Sequence, residues 1–237
     1  MSGRPRLLDL FCCEGGAAKG YADAGFDVIG VDIAPQPNYP FDFIQADALE
    51  FLREDLRWTR GPRYAPLAYD AIHASPPCQS YTTMSNRWGS DYPALIPAVR
   101  DLLERTGLPY VIENVAGSRS ELRNPIRLTG EMFGLRVHRP RLFETNWPLM
   151  SFPSPPRQPN PVAVYGKNDQ RRLWTRTDGS ELRAANLEEA REAMGMPWAS
   201  WDGCREAIPP AYTAFIGVQL IAHVRTLATE VDALGAA

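Results

Sequence analysis

Arg6-Leu7-Leu8-Asp9-Leu10-Phe11-Cys12-Cys13-Glu14-Gly15-Gly16, near the start of the chain, decides the fold class. Arg6 to Phe11 is an apolar run interrupted by one acid, the pattern of a buried strand. Cys12 to Gly16 makes a tight turn. Ala17 to Ala24 follows as a short helix stopped by Gly25, and Phe26 to Ile33 is a second apolar strand with Asp32 near its end. The whole is a compressed β-α-β unit. Glycines after a first strand let the backbone approach a ligand at a helix N-terminus. Asp32 stands where an acceptor for ribose hydroxyls is expected. Taken alone, the glycines serve a tight turn equally well. The missing G-x-G-x-x-G counts against a nicotinamide cofactor.

Further elements continue the alternation. Phe43 to Ala46 reads as a third strand and Leu49 to Leu56 as a helix. Tyr69 to Ala74 is a short strand that runs into Ser75-Pro76-Pro77-Cys78-Gln79. The polar, Gly-containing stretch from Ser80 to Asp91 reads as a loop. Tyr92 to Arg105 has helical spacing, with Leu95, Val99, Leu102 and Leu103 on one face. Tyr110 to Ile112 is a strand ending at Glu113-Asn114-Val115. Strands alternating with helices predict an α/β fold with a mostly parallel sheet. Ligands in such sheets sit at the carboxyl ends of strands. Asp32, Cys78 and Glu113 all fall there, on one edge. The texture then changes to a proline-dense linker or irregular loop from Trp147 to Pro161. Val162 to Arg176 is strand-like and basic, Leu187 to Met194 helical, and Tyr212 to Ala228 a longer apolar helix. There is no internal repeat.

A chain of 237 residues fits one large domain, or one carrying a small appended domain. No run approaches the ~20 apolar residues of a membrane-spanning helix, and no apolar signal core follows the basic N-terminus, so an intracellular protein is expected. Cys12, Cys13, Cys78 and Cys204 form no C-x-x-C pair, and His73, His138 and His223 are scattered. That pattern argues against a zinc site and against a disulfide framework. The net charge of −3 hides a local +6 between Arg119 and Arg183. A basic segment on an acidic body suits a phosphate-facing surface, or equally a solvated face with scattered arginines.

Two residues invite chemistry. Pro76-Pro77 holds the backbone rigid just before Cys78, but a thiol with pKa ~8.5 needs activation and fixed placement to act as a nucleophile. The alternative is a buried small hydrophobe. Glu113, at a strand end, is a proton donor if its pKa is raised, or else a surface turn carboxylate.

In this order, Asp9-Leu10-Phe11 with Gly15-Gly16, Pro76-Pro77-Cys78-Gln79 and Glu113-Asn114-Val115 resemble the bacterial and phage DNA cytosine-5 methyltransferases. Arg139-Pro140-Arg141 resembles that family's R-x-R motif. Met194-Gly195-Met196-Pro197, preceded by Glu189, is similar to its M-G-[FY]-P motif. Ala207-Ile208-Pro209-Pro210, followed by an apolar helix with Gly217, is similar to the closing N-A-V-P-P motif. The resemblance covers nearly the whole chain. Three positions depart from it: Cys13 replaces a Gly of the opening motif, Glu206 replaces an Asn of the last, and Glu188 stands where an Arg is frequent.

The resemblance implies an S-adenosylmethionine-dependent methyltransferase, Rossmann-like, with a small irregular recognition domain. The catalytic domain is expected over 1–143 and 204–237 and the recognition region over 144–203. Cys78 would attack cytosine C6, Glu113 would act at the N3/N4 edge, Arg141 would hold O2, and Arg139 would orient the catalytic groups. For S-adenosyl-L-methionine, Phe11 would pack on the cofactor and Asp32 would take the ribose hydroxyls. Ile33 would cover the adenine and Asp47 accept from its amine, with Gly15, Gly16, Pro77 and Ala207 lining the pocket.

The expected partner is double-stranded DNA with its target base flipped out, bound by a monomer in the cytoplasm of a bacterial or phage-infected cell, with no membrane and no metal. The Ser80 to Asp91 loop would close over the base, with Asn86, Arg87 and Trp88 filling the vacated space. Arg157, Lys167, Arg171, Arg172, Arg176 and Arg183 would contact phosphates or guanines at a short recognition site. The rivals are a tRNA cytosine-5 methyltransferase and a catalytically inactive DNA-binding relative.

Overall fold

The computed structural model describes residues 3–59, 69–78, 94–159, 161–165, 184 and 186–235. Seven strands form one sheet: β1 (Arg6–Leu10), β2 (Asp27–Asp32), β3 (Asp42–Gln45), β4 (Ala71–Ala74), β5 (Tyr110–Val115), β6 (Ile126–Leu128) and β7 (Arg141–Thr145). Their order is β3-β2-β1-β4-β5-β7-β6. The first five strands run parallel, and β7 is antiparallel to both its neighbours. The helices are α1 (Gly16–Ala24), α2 (Ala48–Thr59), α3 (Ile96–Thr106), α4 (Leu187–Met194), α5 (Trp201–Glu206) and α6 (Pro210–Gly235).

Side-chain alternation along the strands sorts the core into two layers. Leu8, Leu10, Ile72, Ala74, Ile112 and Leu142 pack with Leu52 of α2 and Val99 and Leu103 of α3. Leu7, Ala71, Val111 and Phe143 face the other way, onto Tyr21 of α1 and Tyr212, Ile216 and Leu220 of α6. Each fully buried side chain of this size contributes about 1.5–3 kcal/mol of hydrophobic stabilisation. Thr213 Oγ1 also ties the two helices of this layer by donating to Ala17 O at 2.9 Å. Asp9, His73 and Glu113 are in step with Leu7, Ala71 and Val111, so three polar side chains fall on the α1/α6 face.

A third apolar cluster joins Val137, Val162, Val164 and Ala184 to α4 and α5 through Ala190, Ala193, Met194 and Trp201. Beyond β7 the chain returns along α6: Trp147 is buried in the α1/α6 layer, and Met150 N and O both bond the Gln219 side chain.

The parallel sheet and most elements lie where the sequence predicts them. β5 differs, because β7 pairs along it from Val111↔Thr145 to Val115↔Arg141. Glu113 therefore lies inside a strand rather than after one. α3 starts at Ile96 instead of Tyr92, with a proline in its first turn, where a missing N–H costs nothing. α6 extends past the expected Tyr212–Ala228 at both ends. Of the strand-like 162–176, Ala163 makes a single bridge, and the part from 166 on lies outside the described residues. The short β6, β7 and α5 have no counterpart in the sequence reading.

Candidate active site

At the carboxyl ends of β1, β2, β4 and β5 lies a cleft of about 580 Å³. Phe11, Gly16, Asp32 and Ile33 line one part, Pro77, Cys78, Glu113 and Arg141 another, and Ala207 closes it. Nine of the twelve residues expected from sequence to be catalytic or cofactor-binding thus share one cavity.

The first part is built by the loop after β1. Phe11 and Cys13 are held at φ 58° and 45°, a left-handed conformation that costs a side-chain-bearing residue roughly 1–2 kcal/mol. Such strain persists where surrounding structure enforces it, often at functional sites. The enforcing contact here is Asp32, whose Oδ2 accepts from Cys13 N at 3.0 Å while Oδ1 accepts from Ala34 N at 2.9 Å. Each carboxylate oxygen keeps a further lone pair for a hydroxyl donor. Ile33 beside it is 69% exposed, an apolar surface that a flat ligand would cover. Gly16 has no room for a side chain: a Cβ there would meet Ile208 O and come within 2.9 Å of Ala207 Cβ. The start of α1 and the segment before α6 therefore touch, which brings Ala207 to the cleft.

Three expected site residues stand elsewhere. Gly15 precedes α1 at φ 81° and abuts Tyr39 and Pro40 rather than the cleft. Asp47 is exposed and caps α2, its Oδ1 accepting from Leu49 N and Glu50 N, both at 2.9 Å. Asp47-Ala48-Leu49-Glu50 has the spacing of a helix-start signal, which was readable in the sequence. Arg139 is half-buried with its guanidinium turned to the chain's own carbonyls, donating to Ala207 O at 2.7 Å, Arg205 O at 2.5 Å and Val164 O at 3.3 Å. It clamps the segment before α6. Arg87, Trp88, Lys167, Arg171, Arg172 and Arg176, like Asn86 and Arg183, lie outside the described residues, and Arg157 is exposed.

In the second part, Asn114 Nδ2 donates to Pro76 O at 2.8 Å, pinning the turn that carries Cys78 to β5. Glu113 and Arg141 are diagonal neighbours across the β5–β7 pair, with Arg141 Nε 3.0 Å from Glu113 Oε1. The approach is close enough for an ion pair but is not aligned as a hydrogen bond, and Oε1 makes none. Burial raises the Glu113 carboxyl above the ordinary range, against the pull of Arg141. Burial likewise raises the Cys78 thiol, with Arg141 opposing and Glu113 adding to the rise. The arrangement holds a carboxyl group, a thiol and a guanidinium around one space.

Sequence reasoning assigned no role to Glu14. Its carboxylate accepts from Ser200 N at 2.6 Å and Ser200 Oγ at 2.5 Å, and its carbonyl from Trp198 Nε1 at 2.8 Å. It fastens the loop after β1 to the start of α5. A glutamate inside a glycine-rich turn gives no signal for a partner so distant in the chain.

No family model matches the chain. The Type II methyltransferase M.AgeI of Thalassovita gelatinovora is 29% identical over 126 residues, covering 47% of this chain and 28% of that protein. The chain thus matches under a third of that relative's length. Among solved structures, S. pombe Dnmt2 methyltransferase superposes with a TM-score of 0.60 at 12% identity, over 93% of this chain and 99% of that one. The Entamoeba histolytica methyltransferase EhMeth gives 0.58 at 12% identity, over 94% and 99%. A prophage-encoded E. coli chain assigned as a DNA modification methyltransferase gives 0.59 at 15%, over 94% and 99%. With its seven-stranded, mostly parallel sheet, the chain has the mixed α/β fold of these methyltransferases.

Proposed function

We propose that this chain transfers a methyl group from S-adenosylmethionine to C5 of cytosine in double-stranded DNA, at a short recognition site, through a covalent bond to Cys78. The observation that carries this reading is the meeting of Cys78, Glu113 and Arg141 in the same cleft as Asp32 and the exposed Ile33. The similarities to M.AgeI and to the prophage-encoded chain support DNA as the substrate.

S-adenosylmethionine, when bound, supplies an electrophilic methyl group. Asp32 fits its ribose hydroxyls through free lone pairs, Ile33 and Phe11 offer apolar cover for its adenine, and Gly16, Pro77 and Ala207 line the remainder. The reacting cytosine atoms are inaccessible inside a duplex, so the base is flipped into the cleft. Cys78 Sγ bonds to C6 as a thiolate. Glu113, which burial favours in its protonated form, hands its proton to N3, so no net charge builds on the ring. Arg141 would hold the base O2. Addition makes C5 electron-rich, the carbon that accepts the methyl group. A base takes the C5 proton, the Cys78 thiolate leaves C6, and N3 returns its proton to Glu113, which restores the enzyme. Arg139 acts at one remove, by holding the Ala207 segment against the cleft.

Incubating the purified protein with methyl-labelled cofactor and either duplex DNA or tRNA tests this, with nucleosides separated afterwards. Label in 5-methyldeoxycytidine is expected. Label confined to tRNA, to adenine or to the cytosine N4 amine would overturn it. Bisulfite sequencing of DNA from cells expressing the protein reads the site, expected at about two to four base pairs, since each discriminated pair needs its own side-chain contact.

A further inference from the structure

The α1/α6 face of the sheet holds a line of polar groups that the proposed chemistry does not use. Tyr21 Oη, from α1, lies 3.0 Å from His73 Nδ1 on β4. His73 Nε2 lies 2.9 Å from Ser75 Oγ, in the turn that leads to Cys78. Ser75 and Glu113 line the same cleft, and Ser75 acts on the Glu113 carboxyl so as to favour its ionised form. Tyr21 and His73 have no exposed surface. Burial pulls His73 down to about 3, so its ring is neutral at any working pH.

Neutrality gives the line a direction. With Glu113 ionised, or with its proton on Oε1, the other carboxyl oxygen only accepts, so the Ser75 hydroxyl donates to it. The Ser75 oxygen then accepts from a proton on His73 Nε2. The remaining nitrogen, Nδ1, has no proton and accepts from the Tyr21 hydroxyl. Every donor has one acceptor, and the tautomer of the histidine is set by its neighbours. Asp9, the register partner of His73 on β1, is itself buried and pushed toward its neutral form by that burial, and neither of its carboxyl oxygens hydrogen-bonds. Around Glu113 the other titratable or charged groups are Arg141, Arg139, Cys78, Cys13, Tyr21 and Tyr212.

We infer that Tyr21, His73 and Ser75 are positioning residues that act through one another to orient the Glu113 carboxyl, leaving Oε1 beside Arg141 with no hydrogen bond of its own. A proton carried by Glu113 is thereby presented toward the cleft, not toward the sheet. That consequence rests on the reading of Glu113 as an acid; the hydrogen-bonded line does not.

Nitrogen NMR of the intact, uniformly labelled protein tests the line without a substrate, since only His73, His138 and His223 contribute. His73 is expected as the neutral Nε2–H tautomer throughout pH 5 to 8. Protonation in that range, or a proton on Nδ1, would overturn the inference. Infrared difference spectra against Glu113→Gln follow the Glu113 carboxyl. Ser75→Ala should move its titration to higher pH, because a donor to the carboxylate is lost, and Ser75→Thr should restore it. An unmoved titration in Ser75→Ala would also overturn the inference. On duplex DNA carrying 5-fluorocytosine, Ser75→Ala should slow adduct formation about tenfold with DNA affinity unchanged, the scale of one lost hydrogen bond to a charged group. The expected tautomer and titration with no adduct in the parent protein would sink the proposed function and leave the positioning line standing.

Discussion

Glu113 and Glu144 lie on neighbouring strands, both buried, and point to opposite faces of the sheet. Glu144 faces α3, where Arg100 grips it with two parallel bonds, Nε to Oε1 at 2.6 Å and Nη2 to Oε2 at 2.7 Å. Arg123 N adds a third at 2.7 Å. Glu113 faces α1 and α6, where Arg141 comes within 3.0 Å of Oε1 without making an aligned bond. A charge buried with every lone pair engaged is a structural element. One left with an open oxygen at a cleft is available to react, at a cost that its surroundings must offset. The same contrast runs through the layers: among the described residues the buried polar side chains on the α2/α3 face, Glu144, Arg100 and Asn114, are hydrogen-bonded, while the α1/α6 face carries Asp9, His73, Glu113 and Arg141.

Exchanging the two carboxylates in turn should separate chemistry from stability. Glu113→Gln removes the proton donor and should slow methyl transfer by about 10²–10⁴-fold while the protein still folds; single-turnover assays with labelled cofactor measure it. A variant retaining near-parental rates would make Glu113 no more functional than Glu144. Glu144→Ala strands Arg100 in the core and should cost about 3–5 kcal/mol of stability, read from urea unfolding. A loss under 1 kcal/mol would mean that the pair is dispensable.

At the other part of the cleft, Asp32→Ala should weaken S-adenosylmethionine binding by roughly 1.5–3 kcal/mol, the scale of a hydrogen bond to a charged group. Calorimetric titration decides it, and an unchanged dissociation constant would mean the cofactor lies elsewhere.

The smallest effect concerns pH. Because the folded state raises the Glu113 pKa, its stabilising contribution is complete below the ordinary glutamate range and is lost as pH rises through the raised value. Glu113→Gln should therefore gain thermal stability relative to the parent at pH 8 and show no gain at pH 4. An equal difference at both values would remove burial as the cause of the shift.

Much of this was legible in the sequence. An acid or a histidine in a short apolar run, as in Leu7-Leu8-Asp9-Leu10 or Ala71-Ile72-His73-Ala74, marks a polar group driven into the core, and the strand ends locate the cleft. The partner of each buried charge was not legible. Glu113 and Glu144 both sit in apolar strands, and only the pairing of β5 with β7 and the docking of α3 show which one is satisfied. β6 and β7 escaped notice because strands of three and five residues with arginines inside or at the end carry little periodicity. Asp47 was read as a ligand residue although its spacing to Glu50 signals a helix cap. Ser75, His73 and Tyr21 gave no joint signal, since 52 residues separate Tyr21 from its partner.

The central claim is covalent attack by Cys78. Incubating the protein and S-adenosylmethionine with duplex DNA carrying 5-fluorocytosine at methylated sites tests it most directly, because fluorine at C5 cannot leave as a proton does and the adduct is trapped. A denaturation-resistant complex is expected, with proteolysis and mass spectrometry placing the nucleotide on the peptide containing Cys78, and with no complex from Cys78→Ser. An enzyme that methylates ordinary cytosine but forms no adduct, or one whose Cys78→Ser variant keeps full activity, would contradict the account.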